Sequence, residues 1–216
     1  RDLQSIGSKI TAADLVSYKP SWQVPIRASY RDRVIYTIPG LSGGPSLLET
    51  MKALALEEMP RASDARSATY FANTIRAAYK TRLQTMGHAS GGQDCTSHIS
   101  AMDRNGNMVA LTNTLLSRFG SKTVAPSLGL TLNNGMMWFD PRLGKPNSIA
   151  PGASPLANMS PAITTLDGKP DIAIGAAGGR QIFPAIAQIL SKIIDRSASP
   201  EKALHEPRID ASSPTI

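Results

Sequence analysis

Asp94-Cys95-Thr96-Ser97-His98-Ile99-Ser100-Ala101-Met102-Asp103 is the stretch from which the rest of the chain can be read. Residues 96–103 alternate in polarity like a half-buried strand, Arg104-Asn105-Gly106-Asn107 is a hairpin turn signal, and residues 108–115 form a second β run. Antiparallel pairing through that turn brings Thr114, 18 residues downstream of Thr96, back beside it. Upstream the texture is helical. Thr11 and Asp14 make a capped helix start, residues 47–58 carry Leu47, Leu48, Met51, Leu54 and Ala55 at amphipathic spacing, and residues 67–85 are a second long helix. Residues 33–38 read as a strand halted by Pro39-Gly40, and Gly40 to Pro45 as a flexible loop. Residues 87–94 are a polar, glycine-rich linker without periodicity. Beyond the hairpin, residues 128–132, 162–166 and 171–174 read as strands. Residues 182–194 are an apolar-faced helix, and Ser199-Pro200-Glu201 opens a last short one. Helices flanking hairpin strands predict an α+β sandwich in one domain, with no internal repeat.

Bulk properties exclude several classes. No run of about 18 apolar residues is present to span a bilayer. The net charge of +7 is spread over both parts, with 12 basic and 8 acidic groups in residues 1–95 and 11 and 8 in residues 96–216. The densest basic region, residues 61–82, is interleaved with Tyr70, Phe71 and Tyr79 at helical spacing. That spacing buries rings rather than offering them to bases, so no nucleic-acid partner is expected. The single cysteine, Cys95, excludes an internal disulfide, and three scattered histidines make no metal site. No cofactor is expected. Arg1-Asp2-Leu3 reads as a mid-protein start, which leaves the compartment open, with cytoplasm ahead of periplasm.

Two constellations bear chemistry. Thr96 heads a strand directly after a linker. A threonine hydroxyl is a weak nucleophile, but a cut before it frees its own α-amine, with a pKa of about 8, as a base within reach. One residue then supplies nucleophile and base. The competing reading is a β-branched residue at a strand end, where threonine is common. His98, on the same strand face, reads as a hydrogen-bonded core histidine rather than a catalytic base. Gly175-Ala176-Ala177-Gly178-Gly179-Arg180-Gln181 lies between a strand and a helix. There, unpaired backbone N–H groups can hold an oxyanion or a phosphate, or the segment is a plain tight turn. It lacks the Lys-Ser/Thr ending of a P-loop, so the nucleotide signal is weak.

These pieces, in this order, resemble the γ-glutamyltransferase family of N-terminal-nucleophile hydrolases. The matching residues include Asp14-Leu15-Val16-Ser17-Tyr18, the Pro39 to Pro45 loop, Thr96-Ser97-His98-Ile99-Ser100 and Asp103-Arg104-Asn105-Gly106-Asn107. They continue with Leu111-Thr112-Asn113-Thr114, Phe119-Gly120, Leu132-Asn133-Asn134, Met159-Ser160-Pro161 and Gly178-Gly179. The resemblance covers nearly the whole chain. It implies a four-layer αββα sandwich and autocleavage between Cys95 and Thr96. Residues 1–95 are then the end of a large subunit and residues 96–216 most of a small one, the two forming a heterodimer that allows a higher oligomer. It also implies Thr96 as nucleophile, Thr114 as its supporting hydroxyl, and the Gly178 and Gly179 amides as oxyanion hole.

The departures from that pattern concern specificity. Enzymes acting on γ-glutamyl substrates hold the free α-amine and α-carboxylate with polar residues. An asparagine two after the supporting threonine is Leu116 here, and a glutamine after the Asn133-Asn134 pair is Gly135. An acidic residue three further on is Trp138, and a serine pair is Ala157-Asn158. Each lost hydrogen bond to a charged group costs about 1.5–3 kcal/mol. The expectation is therefore retained amide chemistry on a small-molecule substrate with non-glutamyl specificity. Met136 to Pro141 would line an apolar acyl pocket or serve as core, with Asn158 or Arg180 as polar anchors. The alternatives are a true γ-glutamyl hydrolase or transpeptidase, and a non-catalytic ligand-binding relative.

Overall fold

The computed structural model describes residues 1–60, 64–87 and 94–213. Two short helices, α1 (Asp2–Ser5) and α2 (Ala12–Ser17), precede the hairpin β1 (Ile26–Tyr30) and β2 (Arg33–Thr37). Helices α3 (Gly44–Ala55) and α4 (Ala65–Thr85) follow, then the hairpin β3 (Asp94–Met102) and β4 (Met108–Ser117). A short ribbon of β5 (Val124–Ala125) and β6 (Leu130–Thr131) leads to a 3-10 turn at Gly135–Trp138. The chain ends with β7 (Ala162–Leu166), β8 (Lys169–Ile174), a 3-10 turn at Gly179–Gln181, α5 (Ile182–Arg196) and α6 (Pro200–His205).

The expected capping chemistry is present. The Thr11 hydroxyl accepts from the Asp14 amide while the Asp14 carboxylate accepts from the Thr11 amide, which fixes the start of α2. Ser199 caps α6 with Pro200 in the first turn. Asp64 and Ser67 cap α4 reciprocally, setting its start two residues earlier than its apolar pattern implies. Besides α1, β5 and the 3-10 turn at Gly179–Gln181, three further features have no counterpart in the sequence reading. The first is β1, whose Ile26, Ala28 and Tyr30 alternate between polar residues too briefly to stand out. The second is the 3-10 turn at Gly135–Trp138. The third is the true extent of 128–132, of which only Leu130–Thr131 pairs, and only with β5. Of the proposed linker, Gly87 and the backbone of Asp94 are described; residues 88–93 lie outside the described residues.

Strands β1-β2-β7-β8 form an antiparallel sheet in that order. One face turns Ala28, Tyr30, Ile35, Ala162 and Ile174 toward the helices, where they join Leu47, Met51 and Leu54 of α3, Ile75 of α4 and Ile186 and Leu190 of α5 in the main core. Tyr70, Phe71 and Tyr79 turn inward with it, half-buried or buried as their spacing requires. The other face receives β3 and β4, a separate two-stranded sheet that packs against β7 and β8.

That hairpin is amphipathic in the unusual sense. The register pairs Thr96 with Thr114, His98 with Thr112 and Ser100 with Ala110, so the polar side chains point between the sheets. Ile99, Val109 and Leu111 occupy the outer face and are more than half exposed. Among the described residues the layers are thus helix, sheet, sheet; the expected fourth, helical layer would cover this apolar face.

Leu190 has no exposed surface. Leu190→Ala is expected to lower unfolding free energy by about 2–5 kcal/mol, read as a reduced urea midpoint at unchanged slope.

Candidate active site

Thr96 becomes the first inward residue of β3 after a register irregularity between Asp94 and Thr96. Its hydroxyl donates to the Thr114 hydroxyl at 3.2 Å, and Thr114 donates its own proton to the carbonyl oxygen of Cys95 at 3.1 Å. The Leu116 amide donates to the same Thr114 oxygen at 2.9 Å. A hydroxyl has one proton and two lone pairs, so Thr114 is fully used. The Cys95 carbonyl it polarises belongs to the Cys95–Thr96 peptide bond, the bond expected to break, and the Cys95 thiol is free and exposed. Two hydroxyls and the carbonyl form one directed relay.

Across the inter-sheet space, β8 ends at Ile174 and the chain runs through Gly175 into the turn before α5. Gly178 and Gly179 have φ of 121° and 57°, a region in which side chains beyond glycine are strained. The Gly179–Gln181 turn lies against β3. Tyr79 of α4 holds it from beneath, its hydroxyl donating to the Arg180 carbonyl while the Arg180 guanidinium stacks 5.1 Å over its ring. Burial pushes the Tyr79 phenol up to about 12, so it remains a donor throughout the neutral range. His98 lies between the two constellations, half-buried, with its ring nitrogens 2.8 Å from the Thr112 hydroxyl and 3.0 Å from the Ser100 hydroxyl. Among the described residues no group of three or more His, Cys, Asp or Glu side chains could hold a metal ion.

The positions expected to contact an acyl group have a different arrangement. Leu116, Trp138 and Leu156 are buried together in a small apolar cluster, against which Met86, Ala157 and Met159 pack. Phe139 is also buried, whereas Met136 and Met137 are mainly exposed. The Met136 to Pro141 run is therefore split between core and surface. Asn134 secures the end of β4, accepting from the Ser117 amide at 3.0 Å and donating to the Ser117 hydroxyl at 2.8 Å. The Gly135 amide donates to the Asn133 side chain at 2.9 Å, starting the 3-10 turn.

Asn158 is buried, and its side-chain oxygen accepts from Arg82 at 3.0 Å, so it is anchored to the protein itself. The same guanidinium donates to the carbonyls of Ser42 at 2.5 Å and Ala157 at 2.7 Å. Arg82 had not been singled out from the sequence. Its signal was position: it follows Ile75, Ala78 and Tyr79 on the inward stripe of α4, where a cation is out of place. Burial lowers its pKa to about 10, which still leaves it charged. A cavity of about 790 Å³ between Tyr36, Ile38, Ala110 and Ile163 includes none of these residues.

The sequence profile described as gamma-glutamyltranspeptidase matches residues 1–94 and 89–215. The chain belongs to the gamma-glutamyltranspeptidase family. It is 29% identical over 242 residues to the acylase ACY 1 proenzyme of Pseudomonas sp. (strain SE83), covering 94% of this chain and 43% of that protein. It is 27% identical over 261 residues to the glutathione hydrolase proenzyme of Escherichia coli (strain K12), covering 96% and 45%. Among solved structures, cephalosporin acylase from Bacillus halodurans shares the fold with a TM-score of 0.85 at 22% identity, over 95% of this chain and 44% of that one. Gamma-glutamyltranspeptidase from Pseudomonas nitroreducens is 35% identical over 53% of this chain and 64% of that one, with a TM-score of 0.51. The chain spans somewhat under half the length of the curated relatives. The α+β fold is the one shared with that cephalosporin acylase, and both the acylase and the glutathione hydrolase relatives are named as proenzymes.

Within this family frame, three of the positions expected to carry polar groups for an amino-acid zwitterion (Leu116, Trp138 and Ala157) are apolar and meet in one cluster. Arg82 backs that cluster by tying the 42–46 and 157–158 segments to α4. Arg82→Met would leave two carbonyls and the Asn158 amide oxygen without their donor, at about 1–3 kcal/mol for each orphaned acceptor. A clear fall in the urea midpoint is expected; an unchanged midpoint would contradict this role.

Proposed function

We propose that the chain is the catalytic portion of an autoprocessing amidohydrolase in which Thr96 is the nucleophile. In maturation the Thr96 hydroxyl oxygen attacks the Cys95 carbonyl carbon, the hydroxyl proton passes to the Thr96 nitrogen, and the C–N bond breaks to leave an ester on Thr96 and a free α-amine. Water then hydrolyses the ester, giving a Cys95 carboxylate and Thr96 as a chain terminus. Residues 1–95 become the end of the large subunit and residues 96–216 belong to the small one. In turnover the α-amine takes the hydroxyl proton as Thr96 attacks a substrate amide carbon, and returns it to the leaving amine. Water releases the acid, or a second amine accepts the acyl group. The Gly178 and Gly179 amides supply the oxyanion donors, an interaction whose loss costs about 10²–10³ in kcat. The observation that carries this reading is the relay from Thr96 through Thr114 to the Cys95 carbonyl.

The bare Ile99, Val109 and Leu111 face supports a further layer supplied by polypeptide beyond this chain, in keeping with relatives more than twice its length.

For specificity, the apolar Leu116, Trp138 and Ala157 cluster supports an acyl group without a free α-amine, closer to the acylase relatives than to glutathione hydrolases. A γ-glutamyl hydrolase is the second reading, favoured by the 35% identity to the Pseudomonas nitroreducens enzyme. Comparing kcat/KM on γ-glutamyl anilide with simple acyl anilides separates the two. The full-length protein should prefer the latter, with Thr96→Ala inactive on both. Preference for the γ-glutamyl compound would favour the second reading; turnover by Thr96→Ala would remove the nucleophile.

Leu116 also has φ of 73°, a left-handed conformation that asparagine tolerates far better than leucine. Leu116→Asn therefore relieves backbone strain, which offsets part of the cost of placing an amide in the apolar cluster. By restoring one hydrogen bond to a charged group, it should raise γ-glutamyl kcat/KM by about 10- to 100-fold.

A further inference from the structure

The surroundings of His98 fix more than its own position. A carbonyl oxygen can only accept, so the Ser100 hydroxyl donates to the Ala173 carbonyl at 2.9 Å. Ser100 must then accept from His98 Nε2–H at 3.0 Å, leaving Nδ1 to accept from the Thr112 hydroxyl at 2.8 Å. That single carbonyl fixes a proton on Nε2; in the neutral ring Nδ1 is then the acceptor, and burial, which lowers the imidazole pKa, favours that neutral form.

The ring also lies against Gly175 so closely that a Cβ there would fall 2.2 Å from both Cε1 and Nδ1. Ala173 and Gly175 flank the end of β8, immediately before the turn containing Gly178 and Gly179. β3 and β8 belong to different sheets and share no ladder, so side chains must set their spacing here.

We infer that His98 is a positioning residue that fixes the oxyanion turn relative to Thr96, two residues earlier on the same strand face. The inference rests on the roles proposed above for Thr96, Gly178 and Gly179. Oxyanion donors act within about 2.7–3.1 Å of the developing charge, and a misplacement of about 1 Å costs on the order of 10²-fold. No ionisable side chain occurs on β4 or β7. The others on neighbouring elements are Lys169 and Asp171 on β8, Arg180 on the 3-10 turn, and Asp94 and Cys95 on β3. Asp171 is engaged by Arg33 at 2.7 Å. Protonating His98 would turn Nδ1–H toward Thr112, whose hydroxyl must then accept, so the His98–Thr112 hydrogen bond would reverse.

The test uses the full-length protein with an acyl anilide, in His98→Ala, His98→Gln, Gly175→Ala and the double variant His98→Ala/Gly175→Ala, alongside Thr96→Ala. His98→Ala and Gly175→Ala should each lower kcat by about 10²-fold with KM near that of the parent. The double variant should be no worse than either single change, since the collision and the tie concern the same contact. His98→Gln, which keeps a donor toward Ser100, should recover part of kcat and make the acid limb of the pH profile shallower than the parent's. If His98→Ala stops maturation, Gly175→Ala and His98→Gln carry the same expectations. Unchanged kcat, losses that multiply in the double variant, or a fall in thermal stability alone with normal kcat in the folded fraction would each overturn the inference. An inactive Thr96→Ala beside an unimpaired His98→Ala would remove only the role of His98; an active Thr96→Ala would instead remove the proposed nucleophile.

Discussion

The Thr114 hydroxyl has one proton to give, and the structure directs it to the Cys95 carbonyl. Everything else at the site follows from making that possible. Thr114 must lie opposite Thr96, which fixes the hairpin register, and a shift of one residue in either strand would put the two hydroxyls on opposite faces. Because that register turns Thr96, His98, Ser100, Thr112 and Thr114 toward the other sheet, the apolar residues of the hairpin are left outside. The polar interior is tolerable because its groups are paired: Thr96 with Thr114, His98 with Thr112 and Ser100, Ser100 with Ala173.

In the proposed function, chemistry and specificity fall mainly to different parts of the fold. The relay and the glycine turn sit between the sheets, on β3, β4 and the segment after β8. The residues expected to select the acyl group begin at Leu116, two residues past Thr114 and bonded to it through its amide, and continue on the irregular segments 132–160, in a cluster backed by Arg82. Changes at Trp138 and Ala157 can therefore accumulate without disturbing the hydroxyl relay. Arg82 cannot change so freely, because three acceptors from two segments depend on it.

The hairpin, the capped helices and the glycine turn were legible in the sequence because each is specified locally. Alternation, a turn signal and a capping box are all patterns within about ten residues. The pairing of Thr96 with Thr114 could be inferred from the length of one hairpin. What could not be read was set by long-range contact. Arg82 looked like one more cation in a basic helix until the carbonyls of Ser42 and Ala157 were found around it. The bond from Arg82 to the Asn158 side-chain oxygen spans 76 positions and has no local signal. Met136 to Pro141 looked uniform, and only the fold separates buried Trp138 and Phe139 from exposed Met136 and Met137. The contact of His98 with Gly175 joins residues 77 positions apart, with no sequence signal beyond a glycine after a strand.

The most direct test of this account is the identity of the new chain terminus. Expressed from its full-length gene and purified, the protein should yield two polypeptides. The smaller should begin Thr96-Ser97-His98 by N-terminal sequencing, and Thr114→Val should slow its appearance. A fully active preparation in which Cys95 and Thr96 remain joined would contradict the account at its centre.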